Sequence, residues 1–109
     1  NDYNKGFQDA IEKAKQIIDN ETNYVILDVR EQYEYDEEHI KNAKLLPMGN
    51  IKTEIINVIP NKDTFILVYC RSGNRSNQAA LKLIELGYKN IYDLGGIDSI
   101  NLPKASEEV

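Results

Sequence analysis

Hydrophobic positions in the first half of the chain alternate between the spacing of helices and that of strands. Apolar residues recur at helical spacing in the first segment, which predicts a helix from about Lys5 to Asp19. A short apolar run from Tyr24 to Val29 then predicts a buried strand. The polar stretch 30–39 is expected to be short and helical, with Tyr33 and Ile40 packed inward.

The second half of the chain repeats this alternation. The predicted elements are a strand at 44–46, an amphipathic helix over 51–59 whose apolar positions include Ile56, a buried strand at 65–69, a helix over 76–86 and a strand at 91–94. Gly87 is expected to end the second of these helices as its C′ residue. Alternating strands and helices predict an α/β fold, a mainly parallel central sheet flanked by helices on both faces, in a single domain over residues 1–109.

The only cysteine, Cys70, stands where a predicted strand meets a predicted helix. The residues that follow it are Arg71, Ser72, Gly73, Asn74, Arg75 and Ser76. In such a loop the backbone N–H groups can point inward, and the helix dipole adds partial positive charge. We therefore expect an anion-binding loop in which the thiol ionises readily, since helix N-termini and nearby arginines favour a thiolate.

A different interpretation of Cys70 is that it is a structural residue. Free cysteines are among the most buried residue types and commonly act as small hydrophobes. A packed core, however, does not call for two arginines, a serine, a glycine and an asparagine directly after the cysteine. The polar loop favours a catalytic cysteine, and the carboxyl ends of parallel strands are where ligands bind in such sheets.

Several segments in the same order carry a family resemblance. They are Ile26-Leu27-Asp28-Val29-Arg30-Glu31, Glu38-His39-Ile40-Lys41-Asn42-Ala43, Leu45-Leu46-Pro47, the Cys70 loop and Leu94-Gly95-Gly96-Ile97. Together they resemble the rhodanese family of sulfurtransferase-like domains, with its "LDVRE", "GHIxGA", "NIP" and "LxGG" segments. The resemblance runs from about Tyr24 to Pro103 and implies a rhodanese-like fold.

The chain departs from the family pattern at three positions. Glu38 and Asn42 stand where glycines are usual, and Ile100 stands where a tryptophan is common. We expect these changes to affect local packing more than chemistry.

The length of the cysteine loop implies one chemistry within the family. Four residues separate Cys70 from Arg75, as in sulfur-transferring rhodaneses, whereas the related dual-specificity phosphatases and arsenate reductases carry one residue more. The shorter ring of N–H groups fits one extra sulfur atom on the cysteine. The resemblance thus implies a thiosulfate sulfurtransferase with Cys70 as catalytic nucleophile and residues 71–76 as the substrate-binding loop. A phosphatase or arsenate reductase, and a non-catalytic binding module, remain as alternatives.

Three further residues are candidates for a supporting role. His39 could act as a base for Cys70, but its place in the "GHI"-like segment favours a structural hydrogen bond. Asp28 and Arg30, at the end of a buried strand, are expected to pair with each other or to brace the loop rather than to touch substrate. Tyr69 is expected to line the floor of the site.

Composition excludes several other classes of protein. A chain of 109 residues can bury one small core. The net charge of −5 argues against a nucleic-acid binder, because phosphate-tracking surfaces require clustered Lys and Arg. One cysteine rules out an intramolecular disulfide and argues against a structural zinc site, so we expect no metal and no cofactor.

The expected partners are a small anionic sulfur donor and a thiol acceptor, with a protein sulfur acceptor as a further candidate. No apolar run approaches the roughly 18 residues of a membrane span, so we expect a soluble protein with no membrane partner. The compartment stays open, with the cytoplasm favoured over export. The start Asn1-Asp2-Tyr3 is compatible with a trimmed chain or with a mature form whose leader is gone.

Overall fold

A computed structural model describes the backbone of residues 2–107 and the side chains from residue 6 onward. The helices are α1 (Asp2–Asn20), α2 (Gln32–Glu37), α3 (Ile51–Val58) and α4 (Asn74–Glu85). The strands are β1 (Tyr24–Asp28), β2 (His39–Ile40), β3 (Lys44–Leu45), β4 (Phe65–Cys70), β5 (Asn90–Gly96) and β6 (Lys104–Ala105). Short 3₁₀ turns lie at Met48–Asn50 and Ile97–Ser99.

The central sheet has the strand order β3-β1-β4-β5, and all three pairings in it are parallel. The two-residue strands β2 and β6 pair antiparallel in a separate small sheet. Parallel neighbours require crossover connections, which the helices between the strands supply. The predicted fold class, a mainly parallel sheet surrounded by helices, is confirmed.

Strand β4 crosses the middle of the protein and is buried on both faces. Because side chains alternate along a strand, Ile66, Val68 and Cys70 join a cluster with residues of α3 and α4. Leu67 and Tyr69 join the opposite cluster, which includes residues of α1. Burial on both sides explains the continuous apolar run of this strand. It also fixes the end of β4, where the cysteine loop begins.

Helix α4 ends at the glycine that the sequence predicted. Gly87 has a φ of 97°, and its N–H donates to the Ile84 carbonyl at 3.0 Å. The next N–H, that of Tyr88, donates to the Leu83 carbonyl at 3.1 Å. This pair of bonds is the Schellman motif, which needs a left-handed residue at C′. The prediction for Gly87 is therefore confirmed.

Some apolar residues lie outside the core that the periodicity predicted. Tyr33 on α2 is 66% exposed, and Ile56 and Ile84 are also exposed. Ile40 is buried as expected, but the inward residue of α2 is Glu34, which is 5% exposed. The prediction for Tyr33 was wrong because the ion pair between Glu34 and Arg75, rather than apolar packing, sets which side of this short helix faces inward.

The unusual residues of the "GHI"-like segment fit the backbone differently. Asn42 has a φ of 72°, a left-handed conformation that glycine and asparagine tolerate best. Glu38 is extended, with φ −165° and ψ 137°, which any residue adopts. Replacing the glycine that is usual in the family therefore costs backbone free energy at Asn42 and not at Glu38.

None of the helices in the described part of the chain is long and apolar enough to cross a membrane.

Candidate active site

The site is centred on Cys70, the last residue of β4. Its side chain is buried, and its Sγ accepts a hydrogen bond of 3.0 Å from the Gly73 N–H. Gly73 is the N-cap of α4 and has a φ of 101°, which turns the chain back over the sulfur. A side chain at position 73 would strain this conformation. The sulfur thus lies at the start of a twelve-residue helix, where the first-turn N–H groups lack partners within the helix.

The cysteine loop packs closely against the end of β5. Gly96 is in register with Cys70, and a Cβ atom at position 96 would lie 2.5 Å from the carbonyl oxygen of Arg71. Gly95 has a φ of 80°, and a Cβ atom there would lie 2.8 Å from the ring of Phe7. The double glycine therefore allows two close approaches, one by the cysteine loop and one by α1.

The polar side chains of the loop divide into exposed and buried groups. Arg71, Ser72 and Asn74 are exposed. Ser76 is fully buried, and its hydroxyl donates to the Gly73 carbonyl at 3.1 Å. This bond holds the carbonyl of Gly73, the residue whose N–H donates to the Cys70 sulfur.

Asp93 on β5 contacts the loop from the neighbouring strand, and the sequence predictions did not include it. Its carboxylate accepts a 3.0 Å hydrogen bond from the Gly95 N–H and interacts with the side chain of Ser76. Burial raises the pKa of Asp93 above its ordinary value, although the interactions with Ser76 and with the Gly95 N–H act in the opposite direction. Asp93 therefore links Ser76 to the double-glycine segment.

Arg75 is held by a carboxylate from another element. Its guanidinium donates to both oxygens of Glu34, at 2.7 Å from Nη1 to Oε1 and 3.0 Å from Nη2 to Oε2. The hydrogen bonds from Arg75 lower the pKa of Glu34 to about 2, against the opposing effect of burial. The same contacts raise the pKa of Arg75. The second residue of α4 is thus fixed to α2 by a bidentate ion pair.

The sequence predictions gave Glu34 no role, although part of the signal was present. Glu31-x-x-Glu34 has the spacing of a capping box, and Glu34 Oε1 accepts the Glu31 N–H at 3.0 Å. That spacing predicts a Glu34 carboxylate that is hydrogen-bonded to the backbone at the start of α2. Its partner, Arg75, is 41 residues away, and no local pattern connects the two.

Asp28 and Arg30 form a buried network with Tyr69. Arg30 Nη2 donates to Asp28 Oδ2 at 2.7 Å and to the Glu38 carbonyl at 2.6 Å. The Tyr69 hydroxyl donates to Asp28 Oδ2 at 2.8 Å and accepts the Ile40 N–H at 3.0 Å. Burial and the charge of Asp28 raise the pKa of Tyr69 above its ordinary value, so the hydroxyl remains a donor.

This network has two consequences for the sequence predictions. Asp28 and Arg30 pair with each other, which is one of the two supporting roles expected for them. Tyr69, in contrast, does not line the floor of the site, because its ring packs in the cluster on the α1 side and Cys70 belongs to the other. Adjacent residues of one strand point to opposite faces.

His39 contacts the C-terminal segment and α2. Its Nδ1 lies 2.8 Å from the Tyr35 carbonyl, so Nδ1 must carry the donated proton. Its ring stacks on that of Tyr35 at 3.7 Å, and its Nε2 lies 3.6 Å from Glu107 Oε1. The Nδ1 hydrogen bond and the ring stacking hold the imidazole against Tyr35, and these contacts fit a structural residue better than a base for Cys70.

The described residues contain no group of three or more histidine, cysteine or carboxylate side chains placed to hold a metal ion. The groups present at the site are the buried Cys70 sulfur, the Gly73 N–H that donates to it and the exposed Arg71.

Comparison with known proteins identifies a family and individual relatives of this chain. The family model for the rhodanese-like domain matches residues 10–102. The thiosulfate sulfurtransferase PspE of Escherichia coli is 36% identical over 78 residues, which cover 72% of this chain and 75% of PspE. The thiosulfate sulfurtransferase GlpE of Coxiella burnetii is 42% identical over 76 residues, or 69% of each chain. A solved structure of a rhodanese with anions from E. coli matches with a TM-score of 0.74 and 34% identity, covering 76% of this chain and 98% of that one.

Proposed function

Because the chain belongs to the rhodanese-like domain family, we propose that it is a sulfurtransferase that moves a sulfane sulfur through a persulfide on Cys70. The observation that carries the proposal is the Gly73 N–H aimed at the buried Cys70 Sγ from the start of α4. A hydrogen-bond donor fixed in that position stabilises negative charge on sulfur and needs no reorganisation when the charge forms. The relatives named thiosulfate sulfurtransferases support thiosulfate as the donor to test first.

In the first half-reaction, the Cys70 thiolate attacks the outer sulfur of thiosulfate. A sulfur–sulfur bond to Cys70 forms, the sulfur–sulfur bond of thiosulfate breaks, and sulfite leaves with the bonding electron pair. The product is a Cys70 persulfide whose terminal sulfur carries the negative charge. The backbone N–H groups of residues 71–76 would hold that charge, as an oxyanion hole holds oxygen.

In the second half-reaction, a nucleophile attacks the terminal sulfur of the persulfide. Cyanide would leave as thiocyanate, and a thiolate would leave as a new persulfide. In either case the bond to Cys70 breaks and its electron pair restores the thiolate, so covalent catalysis is complete without a cofactor. The second half-reaction can therefore use a thiol on a small molecule or on a protein as the sulfur acceptor.

The two arginines that follow Cys70 would have different tasks. Arg71 is exposed, and the described residues form no ion pair with it. Its charge is available to attract a dianionic donor. Arg75 is already neutralised by Glu34, so its contribution to substrate binding is expected to be indirect.

The decisive experiment is the intact mass of the protein after incubation with thiosulfate. We expect a gain of one sulfur atom that a reductant removes. Cys70→Ser should show no gain and should form no thiocyanate from thiosulfate and cyanide. Its thermal stability should stay close to that of the wild type, because oxygen and sulfur differ little in size.

Other outcomes would point to other functions. Release of phosphate from an aryl phosphate, with no added sulfur, would support a phosphatase and contradict the proposal. An unmodified protein with neither activity would support a binding module. Substantial thiocyanate formation by Cys70→Ser would rule out the persulfide on this residue.

A further inference from the structure

We propose that Glu34 is a positioning residue for sulfur transfer, and that it acts by holding Arg75 so that the Gly73 N–H stays aimed at the Cys70 sulfur. This inference rests on the proposed sulfurtransferase function for its kinetic consequences. Its structural part, the dependence of the Gly73 N–H on Glu34, can be tested whatever reaction the protein catalyses.

The argument begins with the unusual environment of Glu34. Of the other acidic side chains on and beside α2, Asp36 is half-buried, and Glu31, Glu37 and Glu38 are exposed. Glu34 alone among them is buried, and a buried carboxylate is costly unless it is paired and hydrogen-bonded. It accepts three hydrogen bonds, two from Arg75 and one from the Glu31 N–H.

The second step follows these bonds from α2 to the sulfur. The Glu31 bond fixes the carboxylate to the first turn of α2, so the carboxylate has a defined position. The bidentate contact then fixes the guanidinium in plane and in direction. Arg75 is two residues after Gly73, whose N–H donates to Cys70 Sγ. A short and rigid connection therefore joins α2 to the donor at the reacting atom.

The third step concerns the charge of Arg75. Paired with Glu34, its guanidinium is directed towards α2, although about a third of the side chain is exposed. Without Glu34 the guanidinium would be free to approach the loop and bind an anion in alternative positions. Glu34 therefore holds this cation in one position, where its charge still interacts with Cys70, and leaves Arg71 as the exposed cation that meets the donor. Misplacing a catalytic group by about 1 Å can cost on the order of a hundredfold in rate.

The test compares Glu34→Gln, Arg75→Gln and the double variant with the wild type. The matched control is Glu37→Gln, the same substitution at an exposed position of the same helix. We expect each single variant to lower kcat for sulfur transfer about tenfold, with a smaller change in KM for thiosulfate. The double variant should be no slower than either single one, because all three break the same contact.

The readout that does not depend on sulfur transfer is the amide resonance of Gly73 in the proton–nitrogen correlation spectrum of the free protein. We expect this resonance to move in Glu34→Gln and in Arg75→Gln, and to stay in place in Glu37→Gln. If Glu34 had only a structural role, its substitution would lower the unfolding temperature. At temperatures well below unfolding, the Gly73 resonance and kcat would then stay unchanged.

Each result has a definite meaning. An unmoved Gly73 resonance and an unchanged kcat in Glu34→Gln would overturn the inference, as would single effects that multiply in the double variant. If the wild type takes up no sulfur but the resonance moves as expected, the proposed function fails and the positioning by Glu34 stands. Should Glu34→Gln not fold, Arg75→Lys provides the test, since it keeps the charge, loses the bidentate geometry and should still move the resonance.

Discussion

Arg71 in the cysteine loop and Arg75 in the first turn of α4 have the same side chain, but their surroundings give them different roles. Arg71 is exposed, whereas the guanidinium of Arg75 is bound by both oxygens of Glu34. An arginine that is bidentate to a carboxylate has few donors left for a substrate. At the scale of the residue, the partner therefore matters as much as the residue type.

The ion pair of Glu34 predicts how stability depends on pH. The pKa of Glu34 falls from 4.5 to about 2 on folding, so its contribution is present above pH 4.5 and is lost as the pH falls through about 2. We expect wild-type stability to exceed that of Glu34→Gln by about 1–3 kcal/mol at neutral pH, a range that allows for the part of Arg75 exposed to water.

Urea unfolding at a series of pH values measures this difference. The free energies of unfolding of the two proteins should converge between about pH 4.5 and pH 2, since protonation removes in the wild type what the substitution removes in the variant. A constant difference across that window would show that the Glu34 carboxylate is not the group that titrates.

At the scale of the element, the shape of the loop depends on the strand beside it. Gly96 has no side chain, and this allows the Arg71 carbonyl to pack against the end of β5. We expect Gly96→Ala to push the loop away from the sheet, because the added Cβ atom would lie 2.5 Å from that oxygen. The substitution should cost about 1–3 kcal/mol in stability and lower the rate of sulfur transfer about tenfold.

Gly49→Ala is the control for this prediction. No atom lies within 4 Å of a Cβ at position 49, and its φ is not in the left-handed range. Thermal unfolding and steady-state kinetics of both variants should therefore separate crowding at the loop from a general effect of replacing glycine. Wild-type kinetics in Gly96→Ala would mean that the loop tolerates displacement at Arg71.

The elements that the sequence predicted well are those whose signals are local. The β4 run, the cysteine loop, α4 and its glycine cap are consecutive in the chain, and each follows from spacing or turn chemistry. The double glycine after β5 was also visible, although the reason for it, contact with the Arg71 carbonyl and with Phe7, was not.

The predictions that were wrong or missing concern contacts between distant segments. The pairing of Glu34 with Arg75 and the pairing of β2 with β6 join residues far apart in sequence, and two-residue strands leave no periodic pattern. The position of Tyr69 is a different case. Its alternation with Cys70 along β4 already indicated that the two side chains point to opposite faces.

At the scale of the whole molecule, the local charge of the loop opposes the net charge of the protein. The chain carries a net charge of −5, which repels a dianionic donor, while the exposed Arg71 at the loop entrance attracts it. The two effects differ in range. Near physiological salt the Debye length is about 8 Å, so distant charges are screened more strongly than a charge that contacts the donor.

We therefore expect Arg71→Ala to raise KM for thiosulfate with a smaller change in kcat, as when uniform binding is lost. Its kcat/KM should rise as salt increases from about 0.01 M to about 0.15 M, because only the repulsion by the whole molecule remains to be screened. The wild-type kcat/KM should rise less over the same range, because screening also weakens the attraction by Arg71. Steady-state kinetics of both proteins at several salt concentrations measure the two slopes. Equal KM values at low salt, or parallel slopes, would assign donor recruitment to groups other than Arg71.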